Sequence, residues 1–388
     1  MVSHQKYLFS MKSKGCLLLF GKILNKISYW SFFLKNVCYR KAYDLKELKT
    51  KENLSKGKPV DKKAIEKVWK GIYVNSVWSR YYNGIEREQK GEFDARYIPL
   101  DMEACFIDDW FNNTNAAQAI DDKNMYDMYF HDVNMPKTVG RVINHSFFDE
   151  KYLNISVDAL VERCILAKHV IMKPSIGTMA GHGIVFWNEE EGVDALRKFL
   201  LEHDNYIIQE LIHQHEEINK IYSQSVNSIR IVTCNFKGRT KVLSAVIRLG
   251  QGGNKLDNAS QGGLFCGINE DGTLKKFGYS KYGETCTVHP QGAVFAQCRI
   301  PYFDKCKELV INLSNRFLRI SKLISWDLAV DENGEPMVIE VNLCYGGTDI
   351  HQIANGPLFG DKTEEVLDCV FRKQKKYRLV NRLLSIYK

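Results

Sequence analysis

The 388 residues include only 8 prolines and, despite 11 cysteines, no Cys-x-x-C pair. Cysteines standing singly read as reduced thiols in a cytoplasmic protein; they exclude a disulfide framework and a zinc-finger site. Near the start, Cys16-Leu-Leu-Leu-Phe20 is short, and Lys22 and Lys26 interrupt its continuation towards Trp30-Ser-Phe-Phe-Leu34. A spanning helix needs ~20 apolar residues, so no membrane span is expected. The run also lacks the small-residue cleavage site of a signal peptide. There is no internal repeat, no long low-complexity tract and no convincing Ser-His-Asp or Cys-His arrangement. What remains is an ordinary globular composition, 45% hydrophobic and 26% charged, in a chain long enough for two or three lobes.

The net charge of +8 is unevenly spread: residues 1–70 carry +12, residues 372–388 carry +7, and the body between them carries −11. Basic residues that flank a body rather than line it argue against nucleic-acid binding. A basic packing helix or a mobile arm is the simpler reading of the lysines, leucines and aromatics of the N-terminal arm, which also suit a helix lying on an anionic membrane surface. This gives a cytoplasmic chain, with the inner membrane face as a place where its arm would act.

Periodicity and breakers divide the rest. A lysine-rich linker with the breaker Ser55-Lys-Gly57-Lys-Pro59 leads into a helix from about Lys62. Tyr97-Ile-Pro-Leu-Asp101 reads as a short strand, and 116–133 as a helical pattern ending before Pro136. Strand-like runs follow at 169–173, 206–210, 228–233 and 242–248, with helical stretches near 156–167, 190–203 and 304–322. The mixture predicts an α+β body with antiparallel strands in its C-terminal half.

The last such run is the most informative. In Ser325-Trp-Asp327-Leu-Ala-Val-Asp-Glu-Asn333-Gly334-Glu-Pro-Met-Val-Ile-Glu340-Val-Asn342, the Asn-Gly pair suits a type I′ hairpin turn. With those two residues as the loop, Asp327 faces Glu340 and Ser325 faces Asn342. Glu340 and Asn342 then share one side of the strand, with Ile339 and Val341 on the other. Carboxylates directly opposite repel, so a cation between them is the natural compensation, and magnesium takes such oxygen ligands.

Upstream, Lys173 ends the run Val170-Ile-Met-Lys173, followed by Pro174-Ser175-Ile-Gly177-Thr178-Met-Ala-Gly181-His-Gly183. Glycines let backbone amides approach phosphate oxygens, and the ammonium adds a point charge; yet no Lys-Ser/Thr follows the last glycine, as a Walker A loop requires. The strand ending Gln209-Glu210 runs into Leu211-Ile212, which offer backbone groups to a purine edge, and Glu217 offers a carboxylate for ribose hydroxyls. His213 and His215 lack a third ligand for zinc. Arg230 and Arg248 lie within apolar strands, where each must face solvent or meet an anion. Asn258, Gln261 and Gly262-Gly263 form a polar loop suited to substrate contacts.

Taken in order, these pieces resemble the ATP-grasp superfamily: Asp122-Lys123 before Met135-Pro-Lys-Thr138, Lys173 with its glycine loop, the 209–212 hinge with Glu217, Arg230, Arg248, and the Asp327/Glu340-Val-Asn342 hairpin. Val226-Asn-Ser-Ile-Arg230, Ile247-Arg-Leu-Gly250 with Asp257-Asn258, and His289-Pro290 before Ile300-Pro301 resemble its sugar-transfer-associated branch, whose members are associated with cell-surface polysaccharide synthesis. The resemblance implies two α+β lobes clasping ATP. Lys123 and Lys173 would meet phosphates, residues 175–183 would form a lid, and Gln209, Glu210, Leu211 and Ile212 would hold adenine. Glu217 would hold ribose, while Asp327, Glu340 and Asn342 would hold Mg²⁺. The implied lobes are 121–212 and 213–371, after a pre-grasp segment 69–120 and a basic, helical extension 1–68, with a basic tail 372–388.

The chemistry implied is carboxylate activation by the γ-phosphate, followed by displacement of the phosphate by an amine, with Arg230 or Arg248 holding the carboxylate or the transferring phosphoryl group. Carboxylate and amine are then the small-molecule partners. Two other readings are a kinase on the same fold, with a hydroxyl acceptor, and a non-catalytic nucleotide-binding partner of a membrane glycosyltransferase complex.

Overall fold

The computed structural model describes residues 59–372 apart from 71, 73, 75, 89, 90 and 178–180. The expected extension up to 58, the tail from 373 and Thr178 therefore lie outside the described residues. Among the described residues thirteen strands form two sheets. The first, in the order β3-β2-β1-β6-β4-β5, comprises β1 (Thr138–Ile143), β2 (Ser146–Phe148), β3 (Asn154–Ile155), β4 (His169–Pro174), β5 (Val185–Asn188) and β6 (Tyr206–Glu210). The second, ordered β11-β10-β9-β8-β7-β12-β13, comprises β7 (Ile229–Phe236), β8 (Arg239–Leu249), β9 (Leu264–Ile268), β10 (Leu274–Tyr279), β11 (Thr285–Cys286), β12 (Leu323–Val330) and β13 (Pro336–Asn342). Every pairing is antiparallel.

Six longer helices cover the sheets: α1 (Lys62–Trp69), α2 (Ser76–Gly84), α3 (Val157–Ala167), α4 (Val193–Glu202), α5 (Phe303–Arg316) and α6 (Asp349–Asn355). The chain is thus α+β, as its sequence predicts, and among the described residues no helix is long and apolar enough to cross a membrane. Ser156 caps α3 by accepting from the Ala159 amide, and Leu160, Val161 and Cys164 pack with Leu196 and Leu200 of α4 against the first sheet.

The second sheet shows why its strands read as they do. One face carries Ile229, Ile231, Ala245, Ile247, Trp326, Leu328 and Val341 into a core with α5. By the period of two, the opposite face carries Ser228, Arg230, Arg248, Asp327, Glu340 and Asn342. Elements from near both ends of the described chain cover that second face only in part. Trp69, Phe106, Leu367 and Phe371 close over Val232 and Cys234, while the aromatics of α2 and Ile353 of α6 close over Val246 and Phe265. The polar row between them stays open.

Three expectations change. Tyr97–Asp101 forms no strand: the Gln352 side chain takes both backbone groups of Ile98 (2.8 Å each) and does a neighbouring strand's work. The 116–133 pattern breaks into short turns at Thr114–Gln118, Lys123–Met125 and Tyr126–Tyr129, because Asp122 turns the chain by accepting from the Asn124 amide. The helix expected over 304–322 ends at Arg316, and the chain turns back into β12.

Candidate active site

A cavity of about 700 Å³ lies between the two sheets. Its first-sheet wall is apolar at Val170, Ile171, Ile184 and Phe186, and it ends in Lys173. Glu210, Leu211 and Ile212 line the hinge side; Leu211 and Ile212 lie past the last ladder pair, Val170↔Glu210, so their peptide groups lie beyond the sheet. The opposite wall is the polar row of the second sheet.

The hairpin that carries this row has the register the sequence predicts at its functional end, by an unexpected route. Asp327 faces Glu340 and Ser325 faces Asn342. The loop, however, has three residues rather than two: the Asp331 amide donates to the Glu335 carbonyl, and the Asp331 carboxylate accepts from the Asn333 and Glu335 amides. Gly334 alone takes positive φ (81°). The extra loop residue shifts the pairing by one, to Val330↔Pro336, and a bulge between Asp327/Leu328 and Glu340/Val338 shifts it back. The inserted residue is Ile339. Expected on the far side of the strand, it instead lines the cavity beside Glu340 and Asn342.

The facing carboxylates are compensated by the protein's own cations. Arg230, across from Asp327 on β7, donates from Nε (2.6 Å) and Nη2 (2.7 Å) to its two oxygens, and Arg248 adds a contact at 3.2 Å. Burial would raise the Asp327 carboxyl, but the two guanidiniums outweigh it and hold it down to about 2. Arg248 also donates to Ser228 Oγ (2.8 Å) and lies 3.4 Å from Asp257, which accepts from the Ser228 amide and hydroxyl. Glu340 pairs with Lys123 at 2.8 Å. Desolvation lowers the Lys123 ammonium, but Glu340 and Asp121 more than restore it, and it is raised.

Lys173 has no such carboxylate at hand. Its Nζ, almost fully buried, donates to Gln209 Oε1 at 3.1 Å. Burial, and then the positive charge of Lys123, pull it down to about 8. Two ammonium groups and two guanidiniums around one cavity form a cradle for a polyanion.

Of the residues singled out from sequence, Lys123, Lys173, Gly181, Glu210, Leu211, Ile212, Arg230, Arg248, Asn258, Asp327, Glu340 and Asn342 line this one cavity. The others stand elsewhere. Gln209 is buried behind Lys173 and props it. Glu217 is exposed on a four-residue helix and pairs with Lys220 at 2.6 Å, as Glu216 does at 3.6 Å; neither joins the lining. Ser175 is buried and its carbonyl accepts from the Lys123 amide (2.9 Å), so it fixes that lysine's backbone. Gly177 is exposed. Gly183 is exposed at the end of the glycine loop, where a Cβ would come within 2.9 Å of Pro174. Gln261 and Gly262 lie behind Asn258, outside the lining, while a Cβ on Gly181 would come within 2.7 Å of Asn258. The glycine loop thus touches the polar loop across the cavity mouth. Sequence reasoning left Asp349, Gly347, Tyr345, Lys255 and Lys281 without roles, although all line the cavity. The Gly346-Gly347 pair was the available signal.

The sugar-transfer associated ATP-grasp family matches the chain over residues 105–367, well over half its length. The chain belongs to that family. No curated protein matches it. Among solved structures, this ATP-grasp chain is similar to the biotin carboxylase domain of 2-oxoglutarate carboxylase from Hydrogenobacter thermophilus, at 12% identity and TM-score 0.40, over 67% of this chain and 47% of that one. It is similar to the ATP-grasp ligase PsnB with its minimal precursor at 13% identity and TM-score 0.41, over 67% and 64% of the two chains. D-alanyl-alanine synthetase A from Vibrio cholerae matches at 10% identity and TM-score 0.37, over 64% of each. The match thus spans between about half and two thirds of those chains.

The donor set fits a hard cation in part. Glu340 and Asn342 stand two residues apart on one side of β13, and the buried Asn342 amide nitrogen, a donor with no partner among the described residues, suits an incoming oxygen such as a phosphate's rather than the cation itself. Asp327 already spends both oxygens on guanidiniums. Among the described residues no group of three or more His, Cys, Asp or Glu could hold a metal, so a cation here would share its shell with phosphate oxygens and water.

Proposed function

We propose that this chain is an ATP- and Mg²⁺-dependent carboxylate-amine ligase that works through an acyl phosphate, in the synthesis of cell-surface polysaccharide or another glycoconjugate. The observation that carries the reading is the convergence on one cavity of Lys123, Lys173, Arg230 and Arg248 with the oxygens of Glu340 and Asn342. The nucleotide base fits the apolar slot between Val170, Ile184, Phe186 and Ile339, with the Leu211-Ile212 backbone at its edge. Its phosphates lie along Lys173 and Lys123. Glu340 and Asn342, with Asp327 beside them, would hold Mg²⁺, which neutralises phosphate charge.

The chain's own work is positioning and charge neutralisation, as expected of phosphoryl transfer. Arg230 is fixed by Asp327 through Nε and Nη2, which directs Nη1 towards Gly347 and the cavity, 3.3 Å from where a Cβ on that glycine would sit. A guanidinium held in this way is preorganised for a substrate carboxylate and for the oxyanion formed when the amine attacks its acyl phosphate. Arg248, tied to Asp257 and Ser228, holds a second charge nearby. The family is described as sugar-transfer associated, and on this reading the acid would be a sugar acid or a glycan-linked carboxylate.

The test is turnover of ATP and Mg²⁺ with a broad panel of sugar acids and amino acids in the presence of hydroxylamine. Hydroxamate and ADP in equal amounts are expected with at least one acid. A stable phosphorylated product with no hydroxamate would mark a kinase instead, and nucleotide binding without ADP from any acid would mark a non-catalytic partner.

A further inference from the structure

The cavity continues past the arginines to Tyr345, Gly347 and Asp349, which follow β13 and enter α6. This end has an unusual charge balance. Every other carboxylate lining the cavity is matched: Asp327 by two guanidiniums, Asp257 by Arg248, Glu340 by Lys123, Glu210 by Lys137. Asp349 is not. Among the described residues no lysine or arginine nitrogen lies within 4 Å of it, and the hydrogen bonds near its carboxyl come from the backbone of Ile350 and of Asp349 itself. The cations that act on it are Arg230 and Lys281, and the buried Glu103 carboxyl and the Tyr81 phenol lie within its field as well. Burial raises its affinity for a proton, and Arg230 and Lys281 only partly offset that.

Gly347 measures the space. A Cβ built on it would lie 3.3 Å from Arg230 Nη1 and 3.9 Å from Asp349 Oδ1, and it meets nothing else within 4 Å. The guanidinium that faces the substrate carbonyl and the unmatched carboxylate are therefore no more than about 7 Å apart across open cavity, the distance an attacking nitrogen and a carbonyl oxygen bridge in a near-attack arrangement. Gly347 itself, at φ 67°, keeps that space clear.

From this we infer that Asp349 is the catalytic residue of the second half-reaction: it binds the ammonium of the amine acceptor, takes its proton, and marks the acceptor as a primary amine. The inference rests on the ligase reading above. In balance, the amine nitrogen of the acceptor attacks the carbonyl carbon of the acyl phosphate and the new C–N bond forms. The bound ammonium first gives one proton to the Asp349 carboxylate, which frees the nitrogen to attack and passes that proton on to water; the bond from carbon to the phosphate oxygen then breaks, and inorganic phosphate leaves with the electron pair and takes up the nitrogen's second proton. Arg230 Nη1 faces the oxyanion during the attack.

Hydroxylamine separates this role from the rest of the site, because it is largely unprotonated at neutral pH and needs no carboxylate to bind or deprotonate it. With the acid that yields hydroxamate, the wild type and the variants Asp349→Asn and Asp349→Glu are assayed with hydroxylamine and, separately, with a panel of glycine, L-alanine, L-lysine and 2-amino-2-deoxyglucose. Asp349→Asn is expected to form hydroxamate within about twofold of wild type, which also shows that it folds, while amide formation falls at least ~100-fold, the scale of a lost general base. Asp349→Glu should recover part of the amide rate. Equal loss of hydroxamate and amide, or amide formation at the wild-type rate in Asp349→Asn, overturns the role. A wild type that forms neither hydroxamate nor ADP with any acid overturns the ligase reading instead, and this inference with it.

Discussion

Lys173 offers a measurement that needs no knowledge of the acid or amine. Buried beside Lys123 and without a carboxylate partner, its ammonium is pulled down to about 8. At about pH 8.5 only about a quarter of ligand-free molecules carry the charge, whereas at about pH 7 about nine tenths do. Nucleotide phosphates beside Nζ favour the charged form, so binding draws protons from the buffer, most of one per nucleotide at about pH 8.5 and far less at about pH 7. Calorimetric titration of MgADP in buffers of different ionisation enthalpy reads this number as a slope, with no turnover heat. Subtracting the slope of Lys173→Arg, whose guanidinium stays charged throughout, removes contributions from other groups. A difference near zero at about pH 8.5, or one that is the same at both pH values, would refute the placement of Lys173 on the phosphates.

Three further outcomes follow from the same geometry. Glu340→Gln removes a metal oxygen charge and the partner of Lys123 and is expected to abolish Mg²⁺-dependent turnover with far-ultraviolet circular dichroism unchanged; turnover near wild type would place the metal elsewhere. Lys173→Ala should weaken MgADP binding at least ~10-fold at about pH 7, while Lys137→Ala, which removes an exposed ammonium paired with Glu210 at 2.5 Å, should leave it within about twofold in the same titration. Glu103, buried against the Thr348 hydroxyl, is pushed up to about 8 by burial. Its fold-stabilising proton is held from its unfolded value near 4.5 upwards, so stability falls as pH rises through that window, by about 1.4 kcal/mol per pH unit, and levels off above about 8. Glu103→Gln should flatten the decline, so the gap in thermal midpoint in its favour widens from about pH 5 to about pH 8.

The sequence was most legible where local chemistry leaves few choices. The helices expected from about Lys62 and near 156–167 form at Lys62–Trp69 and Val157–Ala167, the alternation in β7 and β8 sorts Arg230 and Arg248 from their isoleucines, and the family order of lysines, hinge and hairpin is one-dimensional. Glu217 stands outside the cavity lining, paired with Lys220, because a motif fixes position along the chain but not which way a four-residue helix faces.

What sequence alone determined, then, was the inventory: an α+β chain of this family, with two ammoniums, two guanidiniums and three oxygen-bearing side chains on strands and loops of known order. Only the tertiary structure decided how they are shared. Asp327 is matched by arginines from two neighbouring strands, Glu340 by a lysine more than two hundred residues away, and Asp349 by none. The hairpin shows the reason. Its register at the site is the sum of a three-residue loop and a one-residue bulge, two local irregularities that no pattern of alternation encodes, and the bulge persists because packing against both neighbouring layers fixes Val338 and Val341 in the core while Ile339 and Glu340 face the cavity.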